Sequence, residues 1–264
     1  MTSATLASVP TQFRELATRL VENVDSDPRI VGVILAGSAS TGGADEYSDL
    51  DLVIVSNDDE QQSVLANARA FADRLGPVLV AFSGEHVGEP RLLIVLYGPP
   101  PQHVDLKFVG LADLGTRVED GVILWQRDGS VDDALRGTTP EWPRPDPQWI
   151  EDRFWAWTHY IASKIARGEL FEAVDSLGAL RGLALAPLAT AGRTERPAGV
   201  RRLETLAPEH REAFAATVAV PAREDCLRAL RASVDLYLRL RDESTVVCRS
   251  SAERAVLDDL ADIG

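Results

Sequence analysis

Three acids and a glycine-serine pair are the residues of this sequence best placed to do chemistry. Asp49 and Asp51 stand two apart in Asp49-Leu50-Asp51-Leu52, after Gly37-Ser38 and ten intervening residues. The run Leu50 to Val55 reads as a β-strand, in which residues i and i+2 face the same side. Asp49 and Asp51 then project together, with Cα atoms about 6.5 Å apart, while Leu50 and Leu52 turn into a core. Carboxylates so placed can share divalent cations roughly 3.5–4 Å apart. Gly37-Ser38 offers backbone N–H groups and a hydroxyl to phosphate oxygens. A further acid, Asp105, lies in His103-Val104-Asp105-Leu106-Lys107-Phe108, where Val104, Leu106 and Phe108 alternate with Asp105 and Lys107. Neighbouring strands lie about 4.8 Å apart, close enough to bring Asp105 to the Asp49/Asp51 pair.

A lone Asp-x-Asp is common in loops and caps, so the joint pattern carries the information. An apolar run, Gly37-Ser38, ten residues and then Asp49-Leu50-Asp51-Leu52 resembles the signature of the DNA polymerase β-like nucleotidyltransferase superfamily. Asp105 matches the third carboxylate those enzymes usually carry on a later strand. The resemblance is strong over roughly residues 30 to 109 and holds only in outline beyond. With its acidic balance and two-part plan, the chain is similar to the aminoglycoside and lincosamide nucleotidyltransferases, which are adenylyltransferases.

That resemblance implies an α/β N-terminal nucleotidyltransferase domain, a mixed sheet with flanking helices, followed by an all-α helical bundle domain. It implies Mg²⁺-dependent transfer of a nucleoside monophosphate, AMP from ATP by family habit, to a hydroxyl of a small cationic acceptor. Gly37 and Ser38 would bind the β- and γ-phosphates. Asp49 and Asp51 would hold two Mg²⁺ ions. Asp105 would help bind one metal and accept the acceptor's proton, although some members carry Glu there. Two other readings stay open: a toxin- or antitoxin-type nucleotidyltransferase acting on tRNA or protein, and a catalytically silent nucleotide-binding regulator.

The elements that must position these residues follow from periodicity and breakers. Thr11 to Val24 is amphipathic at helical spacing and stops before Asp27-Pro28. Strands are expected at Ile30 to Ala36, Leu50 to Val55, Val78 to Phe82, Arg91 to Tyr97, His103 to Val109 and, at an edge, Val122 to Gln126. One helix, capped by Asp58 or Asp59, should run to Leu75 before Gly76-Pro77. Four prolines in the eleven residues from Gly137 mark the clearest boundary. The expected organisation is a catalytic domain over 1–136, a linker over 137–148 and a helical domain over 149–264. Its helices should cover about 149–167, 169–190, 208–219, 222–242 and 251–261, with a polar loop at 191–197.

The formal net charge of −14 is the reverse of what proteins gripping nucleic acid carry, and it disfavours a polymerase or tRNA-tailing role. A negative field attracts a cationic acceptor. Cys226 and Cys248 are too few for a disulfide framework and lack metal-ligand spacing. No apolar run approaches the roughly 20 residues of a membrane helix, and Met1 to Leu16 lacks a signal-peptide pattern, so the cytoplasm is the expected location.

Only two lysines, Lys107 and Lys164, stand against 25 arginines. Trp157, Ile161, Lys164 and Gly168 share a helical stripe, which places Lys164 on or beside an apolar face. An ammonium there calls for a facing anion. It either reaches nucleotide phosphates or packs its stem on Trp157 and snorkels to water. Glu169, Glu172 and Asp175 form an acidic patch on the next helix, serving either the helix dipole or an aminated acceptor. Arg201 and Arg202 are expected to cover a polar loop rather than contact nucleotide phosphate, and Tyr237 to lie in the core rather than stack on adenine. His103 and His159, without evident acid-nucleophile partners, receive no role.

Overall fold

The computed structural model describes residues 9–194 and 196–263. Met1 to Ser8, on which part of the leader expectation rests, lie outside them, as does Glu195 of the loop at 191–197. The chain divides into two compact units between Glu141 and Trp142.

In the first unit six strands form one sheet: β1 (Ile30–Leu35), β2 (Leu50–Ser56), β3 (Val78–Gly84), β4 (Glu89–Tyr97), β5 (Gln102–Gly110) and β6 (Val122–Gln126). Ile30–Leu35 carries no polar side chain and is buried along its whole length. Such a strand needs cover on both faces of its sheet, and β1 lies inside the sheet with β2 on one side and β6 on the other. The spatial order is β3-β4-β5-β2-β1-β6. β2 and β5 run parallel, whereas the other pairs are antiparallel.

Alternation along β2 and β5 sends Leu50, Leu52, Ile54, Val104, Leu106 and Phe108 to one face, where all are buried. The helix α1 (Arg14–Asp25) covers that face with Leu16, Leu20 and Val24. After the short α2 (Gly37–Ser40), α3 (Gln61–Ala66) and α4 (Ala68–Leu75) complete the cover. Phe71 of α4 meets Phe108 edge-on, with ring centres 5.6 Å apart. On the opposite face a smaller core of Val31, Ile34, Val55, Val109, Leu114 and Val131 covers the C-terminal ends of β2 and β5. It is built by the 3₁₀ turn Ala112–Thr116 and α5 (Ser130–Leu135).

The single helix expected over 58–75 is instead a 3₁₀ turn, Asp58–Glu60, followed by α3 and α4. The break falls at Asn67, whose Nδ2 donates to Ser63 O at 2.8 Å, a local bond that competes with the helix. Asp58 caps nothing there and instead accepts the Ala112 amide at 3.0 Å.

The second unit opens with α6 (Pro147–Arg167). Asp146 caps it by accepting the Gln148 amide at 2.9 Å, and Gly168, at φ +77°, ends it. Then come α7 (Leu170–Leu180), a π-helical turn at Arg181–Leu185, α8 (Ala186–Ala189), α9 (Leu203–Leu206), α10 (Arg211–Ala216), α11 (Arg223–Leu240) and α12 (Ser250–Ile263). The helix expected over 169–190 is thus interrupted, and the wide turn lies just ahead of Pro187, which has no amide to donate. The helix expected over 208–219 shortens to α10 behind the 3₁₀ turn Pro208–His210. Tyr237 stacks on Phe154 at 3.6 Å inside this unit's core. Among the described residues no helix is long and apolar enough to cross a membrane.

Candidate active site

The leucines of β2 and the apolar residues of β5 decide where the acids go. With Leu50, Leu52, Val104 and Leu106 sunk in the main core, Asp51 and Asp105 must emerge on the opposite face. The parallel register pairs Asp51 with Asp105 directly across the two strands. Asp49 precedes β2 at the end of a turn held by Asp45, whose Oδ1 accepts the Tyr47 amide at 3.0 Å and the Ser48 hydroxyl at 2.9 Å. One carboxylate oxygen from each of Asp49, Asp51 and Asp105 lies within 4.8 Å of the others.

Asp105 binds its proton more tightly than an ordinary carboxylate. Burial is the main cause, and the nearby charge of Asp49 adds to it, while His103 acts in the opposite direction. Three carboxylates this close repel one another, and a hard divalent cation with a preference for oxygen ligands would offset that repulsion. The donor set therefore fits such an ion. His103 Nε2 lies 3.0 Å from Asp105 Oδ1. The sequence signal for this contact was present: the i, i+2 rule that pairs Asp49 with Asp51 also pairs His103 with Asp105.

Gly37 is locked to this cluster. Its φ of +62° lies in the left-handed region, and a Cβ there would sit 1.8 Å from Asp51 Oδ2. Only a glycine lets the chain pass so close to that carboxylate. The Ala36 amide donates to Asp51 O at 2.9 Å and the Gly37 amide to Glu119 Oε1 at 3.0 Å. Ser38 is half-buried in α2. Glu119 is a residue that sequence reasoning missed, because it lies 82 positions away in a loop without periodicity.

Asp51, Asp105 and Glu119 line a cavity of about 440 Å³ on this sheet face. Its floor includes Val53 and Leu92, and its cations are already paired. Lys107 Nζ lies 2.9 Å from Glu89, while Arg91 reaches Glu89 at 2.8 Å and Asp113 at 3.2 Å. Arg91 and Lys107 together hold the Glu89 carboxyl down to about 2.

In the second unit, Lys164 is only 14% exposed and its ammonium is held by Glu169 at 2.6 Å and Glu172 at 3.2 Å. Those two carboxylates push its pKa upward. The facing anion that its position called for is thus local, and Tyr160 joins by donating to Glu172. Asp175, Arg201 and Arg202 are exposed. His159, like His103, lies beside a carboxylate, that of Asp259, at 3.3 Å.

Residues 14–101 match the family model described as a nucleotidyltransferase domain. Asp105 falls just beyond the matched stretch, and the register of β5 places it. No curated protein matches the sequence. Solved structures with a similar course include an aminoglycoside 6-adenyltransferase from Bacillus subtilis, at 14% identity and a TM-score of 0.35, covering 96% of this chain and 92% of that one. A nucleotidyltransferase-like protein from Exiguobacterium sibiricum aligns at 16% identity and a TM-score of 0.36, covering 85% and 74%. The Thermotoga maritima CCA-adding enzyme, complexed with tRNA, aligns at 12% identity and a TM-score of 0.35, covering 96% and 71%.

Proposed function

We propose, from the match of residues 14–101 to the nucleotidyltransferase domain model and the acids gathered beside it, that the chain transfers AMP from ATP to a hydroxyl of a small cationic acceptor of the aminoglycoside or lincosamide kind. The observation that carries this reading is the convergence of Asp49, Asp51 and Asp105 within 4.8 Å. Three like charges gathered at a half-buried point weaken a fold unless something cationic uses them. Asp49, Asp51 and Asp105 would hold two Mg²⁺ ions, whose contribution when bound is to offset charge on the attacking and leaving oxygens.

The chain's own residues position and move the proton. Gly37 and Ser38 hold the β- and γ-phosphates. The acceptor oxygen attacks the α-phosphorus, the bond to the bridging oxygen breaks, and pyrophosphate leaves. Asp105 takes the hydroxyl proton, a role suited to a carboxylate whose proton affinity burial has raised. His103 ties one of its oxygens and leaves the other for the reaction. The net charge of −14 favours a cationic acceptor, with Glu169, Glu172 and Asp175 as its candidate contacts. Lys164 can join the donor phosphates only by exchanging them for Glu169 and Glu172.

The test is pyrophosphate release from Mg²⁺ and ATP with an aminoglycoside and lincosamide panel, a tRNA arm, and the variants Asp49→Ala and Asp51→Ala. Turnover with the panel that vanishes in both variants supports the reading. Turnover surviving both refutes the metal assignment, and turnover with tRNA alone moves the acceptor to nucleic acid.

A further inference from the structure

We propose that the Glu119 carboxylate is a displaceable occupant of the donor-phosphate position at Gly37, and so sets how tightly the triphosphate binds. The proposal rests on the reading of Gly37 as a phosphate-binding residue. Glu119 Oε1 accepts the Gly37 N–H at 3.0 Å. That amide has little freedom to serve a second anion elsewhere. Its residue sits at φ +62° with Asp51 packed against it, and the preceding Ala36 amide is tied to Asp51 O. One N–H donates well to one oxygen, so a carboxylate and a phosphate compete for it.

The loop carrying Glu119 is pinned on both sides. Arg117 donates to Thr138 Oγ1 at 2.7 Å and to Asp120 at 2.6 Å. Gly121 runs so close to β1 that a Cβ would lie 2.4 Å from Leu35 O. The movable part is the Glu119 side chain, which lines the same cavity as Asp51 and Asp105. A triphosphate arriving at Gly37 must swing that carboxylate aside and also meets its charge.

Calorimetry on the full chain with Mg²⁺ and inorganic triphosphate, which carries phosphates without a base, measures the effect, with Mg²⁺–ATP as a second probe. Glu119→Ala should bind about three- to tenfold tighter than wild type, the scale of one charge-assisted hydrogen bond partly regained. Glu119→Gln keeps the accepting oxygen without its charge and should fall between them; it carries the test if the alanine variant does not fold. Asp120→Asn removes the same charge one residue on while leaving an oxygen for Arg117, and should change affinity less than about twofold. Equal or weaker binding by both Glu119 variants overturns the proposal. Binding absent in every form sinks the nucleotide reading of the site itself, and this inference with it.

Discussion

Replacing Gly37 with alanine adds a single methyl group at a backbone position pressed against Asp51. That methyl carbon would lie 1.8 Å from Asp51 Oδ2, 2.7 Å from its Cγ and 3.2 Å from its Cβ, where ordinary contact begins near 3.4 Å. The carboxylate must withdraw by more than an ångström or the Gly37 backbone must shift equally. The left-handed φ of +62° adds about 1–2 kcal/mol for any residue with a Cβ. Asp51 is only half-buried, so its side chain can rotate away and the fold survives with a loss near that figure. On the proposed role of Asp51 as a metal ligand, catalysis should not survive so well, because misplacing a reacting or ligating group by an ångström costs about a hundredfold. Gly37→Ala should therefore melt as a cooperative, slightly destabilised protein while pyrophosphate release falls about a hundredfold or more. Mn²⁺ binding, followed by electron paramagnetic resonance, should weaken in parallel. A variant that keeps turnover within tenfold of wild type would refute the claim that Gly37 is required by the position of Asp51.

The neighbouring groups make two further predictions. Glu89, held down to about 2 by Arg91 and Lys107, contributes stability that is fully present above the ordinary glutamate pKa near 4.5 and is lost as pH falls through about 2. Its partners are about one-third exposed, so solvent screening reduces the contribution to about 1–2 kcal/mol. Glu89→Gln should cost that much in urea unfolding at pH 7 and nearly nothing near pH 2; equal stability at pH 7 would contradict the assignment. With Asp105 in its proposed role of taking the acceptor's proton, His103 would position it rather than touch the reacting atoms, so His103→Ala should lower kcat roughly tenfold with the KM for nucleotide little changed. His103→Gln, which retains a donor, should recover most of the rate, and failure of that rescue would show that His103 acts in another way.

How far the sequence reveals this site depends on which distances along the chain a pattern can report. Period-two alternation put Leu50 and Leu52 in the core and Asp49 and Asp51 on the open side, and the same rule turned Asp105 and Lys107 outward from β5. What alternation cannot report is which strand becomes whose neighbour. The antiparallel run β3-β4-β5 is joined by local turns, yet the approach of β5 to β2 in parallel, with Asp105 opposite Asp51, depends on how that run returns across the sheet. Spacing along the sequence does not fix that convergence. Glu119 had no signal at all, since a loop residue lacks periodicity and its contact with Gly37 closes over 82 positions. Lys164 shows the opposite case. Its place on the helix stripe correctly demanded an anion, and Glu169 and Glu172 answer from within eight residues. Closing so short a loop takes little chain entropy. A phosphate must therefore outbid two carboxylates already at hand before Lys164 can serve it.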